Sequence, residues 1–143
     1  MEYEYLEDIA IADAAFAARG KDLPSLFKAA ADATMNVMVD PLDTIAKSTT
    51  RAISLEDDAV DMLLFQFLQE FIYFKDAQGL LLRAGEVQVD NTQDGYRLSA
   101  EAYGEPMDLL RHQMRVDVKA VTLHRFRVER SAHGWEATVV LDI

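Results

Sequence analysis

Apolar and polar positions follow two rhythms along this chain, and the change from one to the other marks the elements. In "KDLPSLFKAAADATMNVMVDP", Leu23, Leu26, Phe27, Ala30, Thr34, Val37 and Met38 recur at three and four, the spacing that gathers side chains on one helix face. Asp22 is placed to cap this helix, Pro24 falls in its first turn where a missing N–H costs nothing, and Pro41 ends it. In "EDDAVDMLLFQFLQEFIYFKDAQG", Val60, Leu63, Leu64, Phe67, Leu68, Phe71 and Phe74 repeat in the same way. Asp57 and Asp58 suit the start of this second helix and Gly79 its close. Met62, Phe65, Ile72 and Tyr73 widen the stripe, which predicts a helix covered over much of its surface.

The remaining segments carry strand signals. "EYEYLEDI" reads as a strand with mixed alternation, and "DAAFAARG", closed by Gly20, reads as a second strand or a short helix. Its alanines favour helix, whereas pairing with the first segment favours strand. "TIAKSTTRAISL" is rich in β-branched residues. "LLLRAGEVQVD" and "YRLSAEAYGE" flank the turn residues "NTQDG" and predict a hairpin. "PMDLLRHQMR" is a connection with room for a helical turn, and "VDVKAVTLHRFRVER" and "WEATVVLDI" are strands joined across "SAHG". The order predicts one α+β domain over residues 1–143, with two helices packed on a largely antiparallel β-sheet.

Composition narrows the class. Half of the 143 residues are hydrophobic, enough for a core without staples. The absence of cysteine excludes disulfides, thiolate zinc sites and cysteine nucleophiles. "MEYEYLEDIA" lacks the basic head and apolar middle of a secretory signal, and no apolar run has the length of a membrane span. The expectation is a cytoplasmic protein with no membrane contact. A net charge of −11 repels phosphate backbones, so direct nucleic-acid binding is not expected. The same charge favours a basic protein partner or a cation, or simply serves solubility.

The sequence contains no glycine-rich phosphate loop, nucleophile elbow or H-E-x-x-H pair. His112, His124 and His133 have no ligand spacing. His124 is predicted in a strand with Val118, Ala120, Thr122, Phe126 and Val128 on its face, hence as a buried, hydrogen-bonded side chain rather than a base. Asp117 and Lys119, two apart on one strand face, read as a surface ion pair worth little. Two acids stand out. Asp13 is the only charge in "IAIADAAFAA", and Asp142 ends an apolar strand beside the carboxyl group of Ile143. A buried unpaired carboxylate is costly, so each needs an arginine, a turn amide, water or a hard divalent cation that gathers several oxygens.

"GKDLPSLFKAAADATMNVMVD", "LLFQFLQEFIYFKDAQGLLL", "YGEPMDLLRHQMRVDVKAVTLHRFRV" and "WEATVVLDI" together resemble the archease family, in the family's order and over nearly the whole chain. The most specific pieces run from "GE" through His112 to "VKAVTLH", with the final "VLDI". The resemblance implies an α/β sandwich that activates an RtcB-type RNA ligase in tRNA splicing, by promoting guanylylation of the ligase and its multiple turnover. It implies an accessory protein rather than an enzyme. An older association of the family, with a tRNA cytosine methyltransferase, implies a chaperone-like role instead. The resemblance also implies a divalent cation, calcium in the family, held by Asp13, Asp142 and the terminal residue Ile143. Lys119 and His124 match residues often found at those positions in the family, and Asp117 stands where a glutamate is usual. The family's His-Thr-Ala-Asp is replaced here by Ala10, Ile11, Ala12 and Asp13 in a slightly longer segment, which brings Asp8 into consideration as a further ligand. A chaperone would instead use an exposed patch on the second helix around Phe65 and Tyr73. A hydrolase or transferase ranks last, since no nucleophile–base pair is identifiable.

Overall fold

The computed structural model describes residues 2–6 and 14–143. The elements run in the order β1 (Tyr3–Tyr5), β2 (Ala14–Gly20), α1 (Leu23–Met38), β3 (Thr49–Asp57), α2 (Val60–Gln78), β4 (Leu80–Thr92), β5 (Gly95–Pro106), β6 (Ala120–Val121), β7 (Arg127–Ser131) and β8 (Gly134–Asp142), and the part of the expected strand "EYEYLEDI" from residue 7 onward lies outside the described residues. The fold is α+β, and its antiparallel strands divide into two sheets rather than one. One is five-stranded, in the order β1-β2-β8-β6 with β7 also on β8, and the other is β3-β5-β4. Of "DAAFAARG", Asp13 lies outside the described residues, and Ala14–Gly20 is strand, not helix, because it pairs with β1 on one side and with β8 on the other. Tertiary pairing outweighs alanine's modest helix preference.

Both helices start and stop where their punctuation requires. The Asp22 side chain accepts a hydrogen bond from the Ser25 N–H at 2.9 Å, with Pro24 inside the first turn. Asp57 accepts from the Ala59 N–H at 3.0 Å just ahead of α2. Gly79 takes the left-handed conformation at φ 65° that closes α2, and its N–H reaches the carbonyls of Lys75 and Phe74. α1 is buried more widely than a single stripe. Ala29, Ala31 and Ala33 are enclosed along with Leu26, Phe27, Ala30, Met35 and Met38. It packs on β2 and β8 of one sheet and on β4 of the other, and its alanines let the flanking layers approach closely. α2 likewise touches both sheets, through β3, β4 and β5 on one side and β6 and β7 on the other. Phe27, Phe67 and Phe71 join the helices in an aromatic run, with ring centroids 5.6 and 5.1 Å apart. No helix among the described residues is long and apolar enough to cross a membrane.

Two segments differ from the pattern. The strand expected from Thr44 begins at Thr49, because Leu42–Thr44 form a 3-10 turn after Pro41. The single strand expected over "VDVKAVTLHRFRVER" is broken into β6 and β7. Thr122 donates its hydroxyl to the Val140 carbonyl and accepts from the His124 N–H, and Arg125 turns the chain at φ 54°. Local side-chain bonds of this kind compete with a continuing ladder. His124 therefore stands exposed in a turn, not buried on a strand face.

Gly104 in β5 lies against the chain of β4, where an added Cβ would strike the Leu81 carbonyl and Leu82 backbone. Gly104→Ala is expected to lower stability by about 3 kcal/mol or more through backbone displacement. Urea unfolding of the two proteins checks this, and a change below about 0.5 kcal/mol, typical of neutral surface substitutions, would contradict it.

Candidate functional site at the end of the last strand

β8 is the axis of the five-stranded sheet. On one side it pairs with β2 from Gly20 opposite Trp135 to Ala14 opposite Leu141. On the other it carries β7 up to Thr138 and then β6, with Ala120 opposite Asp142. Ala137, Val139 and Leu141 are buried and Ile143 packs against the core, while Asp142 is exposed. Val140, on the opposite face of β8 from Val139 and Leu141, is buried as well.

The segment leading into β6 is tied down around this strand end. The Lys119 N–H donates to the Asp142 carbonyl at 2.8 Å, and Thr122 N–H to Val140 at 3.0 Å. From α2, Gln69 accepts the Val121 N–H at 2.9 Å. Lys75, whose side chain is only 3% exposed, donates to the Val118 carbonyl at 3.2 Å and pairs with Asp117 and with Asp76 at 2.8 Å. Burial opposes the charge on Lys75, but hydrogen bonds and charges from Asp117 and Asp76 outweigh it and hold its pKa above the ordinary lysine value. Asp117 and Lys119 thus do not form the ion pair expected between them. Asp117 is engaged by Lys75, and Lys119 has no carboxylate partner among the described residues.

The structure therefore brings Asp117, Lys119, Asp142 and Ile143 to one end of one strand, with His124 in the adjoining turn. Asp8 and Asp13 lie outside the described residues. Among the described residues no group of three or more His, Asp or Glu side chains is placed to hold a metal ion. Lys75 is an anchor that sequence reasoning passed over. Its signal was a lone lysine continuing the apolar stripe Leu64, Leu68, Phe71 at helical spacing.

A second polar cluster fixes the connection after β5. Glu105, His112 and Arg111 meet beneath it, with Glu105 and His112 buried. The Asp108 N–H donates to His112 Nδ1 at 2.9 Å, so the ring carries its proton on Nε2 and donates to Glu105 Oε2 at 3.0 Å. The other Glu105 oxygen pairs with Arg111. The Ala46 N–H, donating to Glu105 Oε2 at 2.5 Å, is the main influence that holds the Glu105 carboxyl below its usual pKa, with His112 and Arg111 adding to it and burial opposing. An acid and a histidine seven positions apart carry no sequence signal of this pairing.

Two helices on two antiparallel sheets, with the last strand at the centre of one, define a small α+β domain of a recognisable family. The chain belongs to the archease family: the model described as "Archease protein family (MTH1598/TM1083)" matches residues 3–143. The archease of Pyrococcus abyssi is 35% identical over 142 residues, covering 99% of this chain and 96% of that one. The archease of Archaeoglobus fulgidus is 32% identical over the full length of both. The solution structure of Methanobacterium thermoautotrophicum protein 1598 superposes with a TM-score of 0.86 at 30% identity, covering 99% of each chain. A Thermotoga maritima crystal structure, titled an archease and possible chaperone, shares the fold with a TM-score of 0.64 at 16% identity, covering 94% of this chain and 93% of that one.

Because the Glu105 pKa is depressed in the folded state, its stabilisation is present above the unfolded carboxylate pKa and is lost as pH falls through the folded value. Glu105→Gln is expected to cost about 1–3 kcal/mol at pH 7 by removing charge-assisted hydrogen bonds, and less on acidification. Urea unfolding from pH 7 to pH 3 reads both. A cost independent of pH, or none at neutral pH, would contradict the assignment.

Proposed function

We propose that this chain is a metal-binding accessory protein that activates an RtcB-type RNA ligase in tRNA splicing or RNA repair, without being an enzyme itself. Membership of the archease family supports an accessory role. The observation that carries the site is the end of the β2–β8 register. The last described pair is Ala14 opposite Leu141, one residue along the chain from Asp13 and from Asp142. Asp13, Asp142 and the carboxyl group of Ile143 would hold the cation. A donor set made only of carboxylates suits a hard divalent ion such as calcium. When bound, the ion would supply positive charge for phosphate groups of the nucleotide used in guanylylation.

The chain's own residues set the frame for this. The Lys119 N–H fixes the carbonyl of Asp142, and its exposed ammonium group stands beside the strand end. Asp117 is held back by Lys75, which ties the approach segment to α2. The net charge of −11 steers a basic RNA-processing enzyme towards the domain and disfavours direct contact with RNA.

A second reading, a chaperone-like modulator of tRNA-modifying enzymes such as a cytosine methyltransferase, is favoured by one feature of α2. Tyr73 is 53% exposed and shares an apolar surface groove with Phe65. The wording "possible chaperone" belongs to the Thermotoga maritima relative.

The two readings separate in an RNA-ligase turnover assay. With the chain below the ligase concentration, Asp13→Asn and Asp142→Asn are each expected to reduce multiple turnover at least about tenfold, equivalent to about 1.4 kcal/mol, while their unfolding midpoints stay near the parent's. Full stimulation by both folded variants would reject the ion site. Suppression of client aggregation by those variants would favour the chaperone-like reading.

A further inference from the structure

We infer that the groove on α2 receives an extended segment of a partner protein, which pairs as an added strand along the outer edge of β3. It deepens the accessory-protein reading, on which it rests only for the expectation that the partner is a protein.

The groove is an open surface cleft of about 430 Å³, a volume comparable to that of ligand clefts. Its floor is α2, through Phe65, Gln66, Gln69, Glu70, Ile72 and Tyr73. Its two walls come from Leu55 of β3 and from Lys119, immediately before β6. Both strands are the outermost members of their sheets among the described residues. The groove therefore lies between β3 and the start of β6, over a helix face that combines Phe65, Ile72 and Tyr73 with Gln66, Gln69 and Glu70.

The β3 edge is long, and among the described residues no strand pairs with its outer side. Exposed edges are normally blunted by shortness, bulges, charges or cover. β4, at the opposite end of the same sheet, is interrupted between Ala84 and Val87 and has α1 packed on it. β1 is three residues long and β6 two. β3, by contrast, keeps unbroken register with β5 over nine residues, from Thr49 opposite Gly104 to Asp57 opposite Tyr96. Arg51 on one side and Glu56 and Asp57 on the other charge its ends, whereas Ala52, Ile53, Ser54 and Leu55 at its middle carry neither charge nor proline. An edge of this kind offers main-chain donors and acceptors to an incoming strand, and the adjacent pocket takes alternate side chains.

The lining specifies the occupant further. Phe65, Ile72, Tyr73 and Leu55 suit apolar side chains on the inward face. Phe65 also meets Phe126 edge to face, with ring centroids 5.7 Å apart, which holds that ring in place. Gln66 is engaged by Asp57 and Gln69 by the Val121 N–H, so they are satisfied within the domain. Lys119 and Glu70 have no ion partner among the described residues. They call for an acidic side chain near Lys119 and a basic one near Glu70. A second copy of this chain is disfavoured as the occupant, because two surfaces of charge −11 repel.

The test is selection of a random twelve-residue peptide library against the intact chain. The expected binders alternate apolar residues and carry a carboxylate. Tyr73→Ser should weaken them at least about tenfold, and Lys119→Glu should invert their charge preference. Methylation of alternate backbone amides should abolish binding in one parity and spare it in the other, and β3 amides should gain protection from hydrogen exchange. Absence of enriched binders, binders indifferent to Tyr73→Ser, or binders that tolerate amide methylation in both parities would overturn the inference. So would sedimentation showing a dimer that protects β3. The selection uses neither ligase nor cation, so its failure leaves the ion proposal standing and the failure of the ion proposal leaves it standing.

Discussion

The double-sided pairing of β8 is the constraint from which the rest of the arrangement follows. A strand hydrogen-bonded along both edges cannot slip, since a shift of one residue would put exposed Asp142 in the place of buried Leu141. β2 fixes one edge over seven residues. β7 and β6 divide the other edge, with the turn at 122–126 between them. The turn lets the chain leave β8 and return to it, so the strand's far end meets Lys119 and Ala120 at a set register. The position of Asp142 is thereby determined by backbone hydrogen bonds, not by side-chain rotamers.

Two buried charged groups hold the connections that this topology leaves long. Lys75 draws the segment before β6 onto α2, and Glu105 holds the loop after β5 through Ala46, Arg111 and His112. A buried ion left without partners is strongly destabilising, whereas a paired and hydrogen-bonded one contributes little net stability. The arrangement accordingly favours definition of these loops over added stability. In each cluster the opposing influences resolve in favour of the charged form, with hydrogen bonds outweighing burial.

Much of this was legible in the chain because the signals were local. Asp22, Pro24 and Gly79 punctuate the helices as their chemistry dictates, and Leu63, Phe67 and Phe71 identify the buried face of α2. Non-local choices were harder. Alanines at 29, 31 and 33 gave no indication that α1 would be enclosed by two sheets, because a small side chain is compatible with either side. The division into two sheets depends on pairings between distant strands. His124 was misplaced because Thr122 and Arg125 impose a turn on a segment with strand alternation. At the site, Asp142 and Ile143 were identifiable from their place at a strand end. The Lys75 pairing with Asp117 was signalled only by one lysine in an apolar stripe, and the Glu105 cluster by nothing local.

The central claim is that the end of β8 is an ion site shared between the two ends of the sequence. Calorimetric titration of calcium into the metal-stripped chain tests it most directly. The account predicts one saturable site per chain, abolished by either Asp13→Asn or Asp142→Asn with the fold retained. Binding that survives both substitutions, or no saturable binding by the parent chain, would contradict it.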